Sequence, residues 1–123
     1  MKIPSLILKQ LYTFNSLENV EGGIKFSIKN RLSDASFTAL KSVKVAGVDI
    51  ALDTINLQLG DGSNIQAQSI SKDKPLSFKL KDSVDMICQH TPLEDGKYKL
   101  EITFEADPFG QLTLEVEDGV STK

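Results

Sequence analysis

A cysteine and a histidine two positions apart, Cys88 and His90, are the pair in this sequence best suited to chemistry. A thiolate beside an imidazole can act as nucleophile and base, and the same two groups can ligate a metal. Alternate residues of a strand share a face, so the geometry is open to them. A metal would need further ligands, and Cys-x-His is a sparse pattern. The plainer reading is a small buried cysteine near a loop histidine, because unpaired cysteine is among the most buried residue types. His90 is the sole histidine, so a Ser-His-Asp triad would have to be built on it, and no Gly-x-Ser-x-Gly turn exists to expose a serine. Glycine patterns that hold phosphates are also missing from the sequence.

The other candidates are carboxylates and one arginine. Glu115 and Glu117 stand two apart, as do Glu105 and Asp107, which lie nearer a turn. Paired carboxylates can serve as acid and base, but on the outer face of a sheet they mostly solvate it. The loop Gly60-Asp61-Gly62-Ser63-Asn64 carries oxygen donors without the long acidic calcium pattern, and reads as a turn. Arg31 is the single arginine against thirteen lysines, and it sits between Asn30 and Leu32-Ser33-Asp34 in the break after a clear strand. Its planar fork suits carboxylates and interfaces. Pairing with Asp34 at the surface is the plainer alternative.

The elements that must position these groups are strands. Ile24, Phe26 and Ile28 alternate with Lys25, Ser27 and Lys29, the mark of a half-buried strand. The pattern returns at Val43 and Val45, at Ile55, Leu57 and Leu59, and at Leu76, Phe78 and Leu80. It is longest at Tyr98, Leu100, Ile102 and Phe104, and closes with Leu112, Leu114 and Val116. Gly22-Gly23, Ala46-Gly47, the 60–64 loop, Glu94-Asp95-Gly96 and Asp107-Pro108-Phe109-Gly110 punctuate these runs as turns. About seven to nine short strands with turns roughly every ten residues define an all-β, antiparallel β-sandwich. Residues 1–11 read as an N-terminal arm or short helix, with Ile3, Ile7 and Leu11 on one helical face. Residues 12–20 read as a first strand.

The chain has 123 residues, enough for one domain spanning 1–123 with its own core. Hydrophobic content of 40% and charged content of 25% belong to a globular protein. The net charge of −3, with lysines interspersed among acids, argues against a nucleic-acid partner, which would call for clustered positive charge. Lys9 and Gln10 cut the first apolar run short of a signal peptide, and no run approaches the roughly 20 apolar residues of a membrane span. A lone cysteine suits a reducing compartment. A cytoplasmic protein without a membrane partner is expected.

The run Ser16-Leu17-Glu18-Asn19-Val20, followed by Gly23-Ile24-Lys25-Phe26-Ser27-Ile28, resembles the opening of the C-glycoside deglycosidase β-subunit family, which typically shows a Ser-Leu-Arg-Asn-like stretch and a Gly-x-x-Phe strand. Val43-Lys44-Val45-Ala46-Gly47-Val48-Asp49-Ile50 looks like that family's hairpin, and residues 93–102 are similar to its closing strand. The resemblance spans most of residues 12–104. It implies a β-sandwich subunit in a hetero-oligomer with a TIM-barrel partner of the sugar-phosphate-isomerase type. The partner would hold a divalent metal, typically manganese, and the acid/base residues that cleave the carbon–carbon bond of a 3-oxo-C-glycoside. The sequence departs from the family after Arg31, where Leu32-Ser33-Asp34-Ala35 replaces an aromatic-Arg-Gly element.

Lys2-Ile3-Pro4 and Lys29-Asn30-Arg31-Leu32-Ser33-Asp34 are also similar to stretches of proteins labelled hydroxymethylglutaryl-CoA reductase. Such a reductase needs a nicotinamide site and catalytic acidic, lysine and histidine groups on a much longer chain. These readings converge on an accessory subunit with no catalytic residue, no metal ligand and no cofactor of its own. The residues expected to meet a partner or ligand are Asn30, Arg31, Asp34, Tyr12, Phe14 and Phe109. The alternatives are a free-standing carbohydrate- or protein-binding sandwich, or a small protein that carries the reductase label without the activity. A sugar-binding version requires exposed rings among Tyr12, Phe14, Phe37 and Phe109.

Overall fold

The structure, a computed structural model, describes residues 3–120. Met1, Lys2 and residues 121–123 lie outside the described residues, and with them the ends of the expected 1–123 domain and 1–11 arm. A short helix α1 (Ser5–Leu8) leads into a 3-10 turn (Lys9–Leu11), followed by ten strands among the described residues. In chain order these are β1 (Glu18–Val20), β2 (Gly23–Lys29), β3 (Ala35–Val45), β4 (Val48–Asp49), β5 (Ile55–Leu59), β6 (Asn64–Gln66), β7 (Leu76–Phe78), β8 (Ser83–Gln89), β9 (Gly96–Asp107) and β10 (Gly110–Val120). They form two antiparallel sheets, one in the order β1-β2-β8-β5-β6, the other β10-β9-β3-β4 with β7 also paired to β3. This is the expected sandwich with a short N-terminal helix. Four strands of two or three residues raise the number above seven to nine.

Alternation builds the core. Phe26 of β2 lies opposite Met86 of β8, and Leu114 of β10 opposite Ile102 of β9, with all four side chains fully buried. A slip of one residue would turn each apolar row to solvent. Each such side chain contributes roughly 1.5–3 kcal/mol on burial, enough together to hold a domain of this size without a disulfide. In β3 the strict period fails. Bulges between Phe37 and Ala39 and between Leu40 and Ser42 stretch the spacing, so that Phe37, Leu40, Val43 and Val45 all reach the core.

Two glycines earn their places by contact or conformation. Gly22, at φ 79, makes the β1–β2 turn. Gly23 is not part of that turn. It opens β2, where a Cβ would be driven into the Cys88 carbonyl oxygen.

Three expectations need correction. The run through Leu80 stops at Phe78, whose carbonyl oxygen accepts from the Asn30 side chain. Lys81 then turns the chain at φ 77, and Leu80 is 46% exposed. The arm buries Leu8 and Leu11 rather than the Ile3–Ile7–Leu11 face, because the helix gives way to a 3-10 turn after Leu8. The expected 12–20 strand is interrupted. Tyr12 forms a single antiparallel bridge to Ile28 and the Thr13 N–H donates to the Ser27 carbonyl. Asn15, at φ 70, then throws the chain outward before β1 resumes the pairing. The arm thus packs on β10, an edge of one sheet, and continues beside β2 near an edge of the other. It covers an edge that would otherwise invite pairing with another chain.

Candidate functional site

Cys88 and His90 are not brought together as a reactive pair. The Cys88 side chain is sealed in the core, and burial pushes its thiol up to about 12, far from a thiolate at neutral pH. β8 ends at Gln89, so His90 lies beyond the strand whose alternation would have aligned the two. Its Nδ1–H donates to the Thr91 carbonyl oxygen at 2.6 Å. Glu115 pairs instead with Lys99 at 3.3 Å on the exposed outer face, an arrangement that contributes little to stability. Among the described residues no group of three or more His, Cys, Asp or Glu is placed to hold a metal ion.

A different set of polar residues converges where the arm crosses from one sheet to the other. Asp118 stands in the inward phase of β10, after Leu112, Leu114 and Val116, and is 5% exposed. A carboxylate survives such burial only if donors surround it. Its oxygens accept the Tyr12 hydroxyl at 2.7 Å, the Asn15 N–H at 3.0 and 3.1 Å, the Leu17 N–H at 3.2 Å and its own neighbour's N–H, from Gly119, at 2.9 Å. Burial raises the Tyr12 phenol above its ordinary range, the Ser16 hydroxyl opposes this, and Asp118 adds to the rise. The proton therefore stays on Tyr12. The pair serves as a clasp between the edges of the two sheets rather than as an acid–base couple. Sequence reading missed Asp118. The available signal was its phase, since an acid in step with three inward apolar residues must be buried.

Arg31 holds the same segment from the other side. Its Nη1 donates to the carbonyl oxygens of Gln10 at 2.7 Å and Tyr12 at 3.2 Å, and its Nη2 to the Thr13 hydroxyl at 3.3 Å. It does not pair with Asp34, whose carboxylate instead accepts the Leu80 N–H at 2.9 Å. Asn30 is buried and fully used within the chain. Its side-chain amide donates to the carbonyls of Ser33 and Phe78, both at 2.7 Å, and its oxygen accepts the Leu32 N–H at 3.0 Å. Phe109 is half-buried and, with Asn30, Leu11 and Leu32, lines an apolar crevice of about 10 Å³, room for no more than a water.

Of the six expected contact residues, the structure gathers Tyr12, Phe14 and Arg31 at the arm, puts Asn30 and Phe109 at the crevice beside it, and turns Asp34 toward Leu80. Tyr12 and Phe37 are buried, while Phe14 is 51% exposed. Phe14 packs edge-on against Tyr12, with ring centres 5.2 Å apart at 76°.

Fold and site together define a β-sandwich domain in which Asp118 and Arg31 hold its own arm in place. The chain matches the hydroxymethylglutaryl-CoA reductase N-terminal domain family over residues 7–121, and belongs to that family. Its label is the one carried by the proteins that residues 29–34 resemble. The match does not confirm the C-glycoside deglycosidase β-subunit resemblance. No curated protein matches the sequence. Among the described residues no helix is long and apolar enough to cross a membrane.

Proposed function

We propose that this chain is a non-catalytic accessory domain that docks on a separately folded catalytic unit. One observation carries the reading: the side chains with catalytic potential are not assembled into a site, and several are engaged in contacts within the chain. Cys88 fills the core, Tyr12 and Asp118 clasp each other, and Glu115 pairs with Lys99. A rigid sandwich with an arm across its open side suits binding better than chemistry. Family membership supports a hydroxymethylglutaryl-CoA reductase catalytic unit as the partner, which would contribute the nicotinamide site and the acidic, lysine and histidine groups. The domain itself would bind no cofactor. The lone buried cysteine fits a reducing cytoplasm.

Purification of the tagged chain from its native host, followed by light scattering and mass spectrometry, tests this. The expected result is a hetero-oligomer with a reductase chain, in which removing this domain changes hydroxymethylglutaryl-CoA-dependent oxidation of the nicotinamide cofactor. Recovery of a manganese-bearing TIM-barrel isomerase-like chain would move the assignment to a C-glycoside deglycosidase β subunit. A clean monomer or self-dimer would reject the accessory role in favour of a free-standing binding module. Reductase activity in the isolated chain would reject it as well.

A further inference from the structure

Phe14 is an exposed aromatic held unusually firmly. Its neighbour Tyr12 supports the ring edge-on and is tied to Asp118 through its hydroxyl and to Arg31 through its carbonyl. On the other side, the Asn15 N–H is tied to both Asp118 oxygens. The residues before and after Phe14 are therefore fixed from both sheets, and the ring between them remains open to solvent. An aromatic side chain with few torsions, pre-set on a braced backbone, loses little entropy on binding, which is how interface anchors are built.

Arg31 adds a second feature. A guanidinium has five N–H donors. Three donate to the arm, and the Nε–H and one Nη2–H have no partner among the described residues. An Nε–H and an adjacent Nη2–H are the side-on edge by which a guanidinium grips a carboxylate bidentately. Among the described residues no acid pairs with Arg31: Asp34 serves Leu80 and Asp118 is sealed behind Tyr12. Lys9, the one charged residue between 3 and 17, shares a cleft with Lys99, Glu115 and Glu117, away from Arg31's contacts with the arm.

We infer that Phe14 and Arg31 are the anchor points of the interface with the catalytic partner, an inference that rests on the accessory reading above. The partner would offer an apolar pocket for the ring, bordered by an aspartate or glutamate for the open guanidinium edge. A lipid surface fits less well, since the arm's helix has four residues and the arm one cation, too little for an interfacial amphipathic element. Asp118 is a positioning residue that acts through Tyr12 and Asn15.

The test measures the affinity of the full chain for the purified catalytic chain recovered with it. Phe14→Ala is expected to weaken binding at least about 10-fold. Arg31→Lys, which keeps the charge and loses the fork, is expected to weaken it several-fold while leaving its salt dependence largely unchanged. Val48→Ala and Leu80→Ala, at exposed apolar sites elsewhere, should bind as wild type. Asp118→Asn should weaken binding with Phe14 and Arg31 intact, and hydrogen exchange should then accelerate at the Asn15 and Leu17 amides while β2 and β8 stay protected. That pattern separates loss of presentation from loss of fold.

If the catalytic chain is recovered and Phe14→Ala and Arg31→Lys bind it as wild type does, this inference fails while the accessory reading stands. If no catalytic chain is recovered, both fail. Binding to phosphatidylglycerol vesicles that depends on Phe14, without binding to the catalytic chain, would also overturn it.

Discussion

Cys88 and Asp118 occupy equivalent places in their strands. Each stands in the inward phase, nearly sealed from solvent, and each carries a group known for chemistry. One is filler and the other is a clasp. Among the described residues the thiol has no polar partner, and burial keeps it protonated. The carboxylate is surrounded by donors from the arm, and so ties the arm and the sheet beside it to β10. Residue type does not decide which outcome a buried group meets. The polar groups that the fold delivers to it do.

The largest expected effect is therefore at Asp118. Asp118→Ala leaves the Tyr12 hydroxyl and the Asn15 and Leu17 amides without their buried acceptor, at about 1–3 kcal/mol per orphaned group and about 3–5 kcal/mol in all. Urea denaturation measures it. A loss below about 1 kcal/mol would mean that the clasp is ornamental and the two sites are alike. Gly23→Ala strikes the Cys88 side through the backbone rather than the thiol. The added methyl must push the Cys88 carbonyl aside, at about 2–3 kcal/mol, and β2–β8 amides should lose protection before those of the arm.

The thiol itself should be felt only through pH. Its folded pKa of about 12 lies above the ordinary 9.0, so the folded protein keeps a proton that the unfolded chain gives up. The contribution is complete below pH 9 and is lost as pH rises from 9 toward 12, at about 1.4 kcal/mol per pH unit. Tyr12, also raised, adds a loss in the same direction above its ordinary 10.0. Cys88→Ala should flatten the stability curve between pH 9 and 10 and leave the Tyr12 contribution above it. A curve unchanged by Cys88→Ala would show that the thiol is not buried as described. At neutral pH the native thiol should resist iodoacetamide until the protein unfolds.

How much of this was legible depends on where local pattern and tertiary structure agree. β2, β9 and β10 are uninterrupted alternations, and their faces could be read directly. β3 hides half its length because two bulges break the period before Val43. β8 is blurred by Ile87, an apolar residue in the outward phase between Met86 and Cys88. At the arm, Tyr12 and Arg31 stood out by type, since each is rare in this chain, and Phe14 as an aromatic outside the clear apolar strand positions. Their organiser did not. Asp118 lies 106 positions from Tyr12, and no spacing rule links them. Only its phase on β10 carried the information, and exposed acids at Glu115 and Glu117 on the same strand masked it.

The smallest expected effect belongs to neither region and serves as their control. Ala46 and Gly47, at φ 53 and 81, make the two-residue turn between β3 and β4 with both residues left-handed. Such turns favour asparagine then glycine, and a Cβ in this region costs about 1–2 kcal/mol for most residues. Ala46→Asn keeps the N–H that donates to the Lys99 carbonyl at 2.8 Å and tolerates the conformation, so it should stabilise by about 0.5–1 kcal/mol. Ala46→Gly relieves the same strain but gives the unfolded chain more freedom, and should gain less. Lys99 lies opposite Glu117, which places Ala46 about two strand spacings, roughly 10 Å, from β10. At that distance the gain from Ala46→Asn should add to the loss from Asp118→Ala within about 0.5 kcal/mol. A larger interaction energy in the double variant would mean that the clasp is felt through β9 to the far strand, and that the seam and the sheet act as one unit.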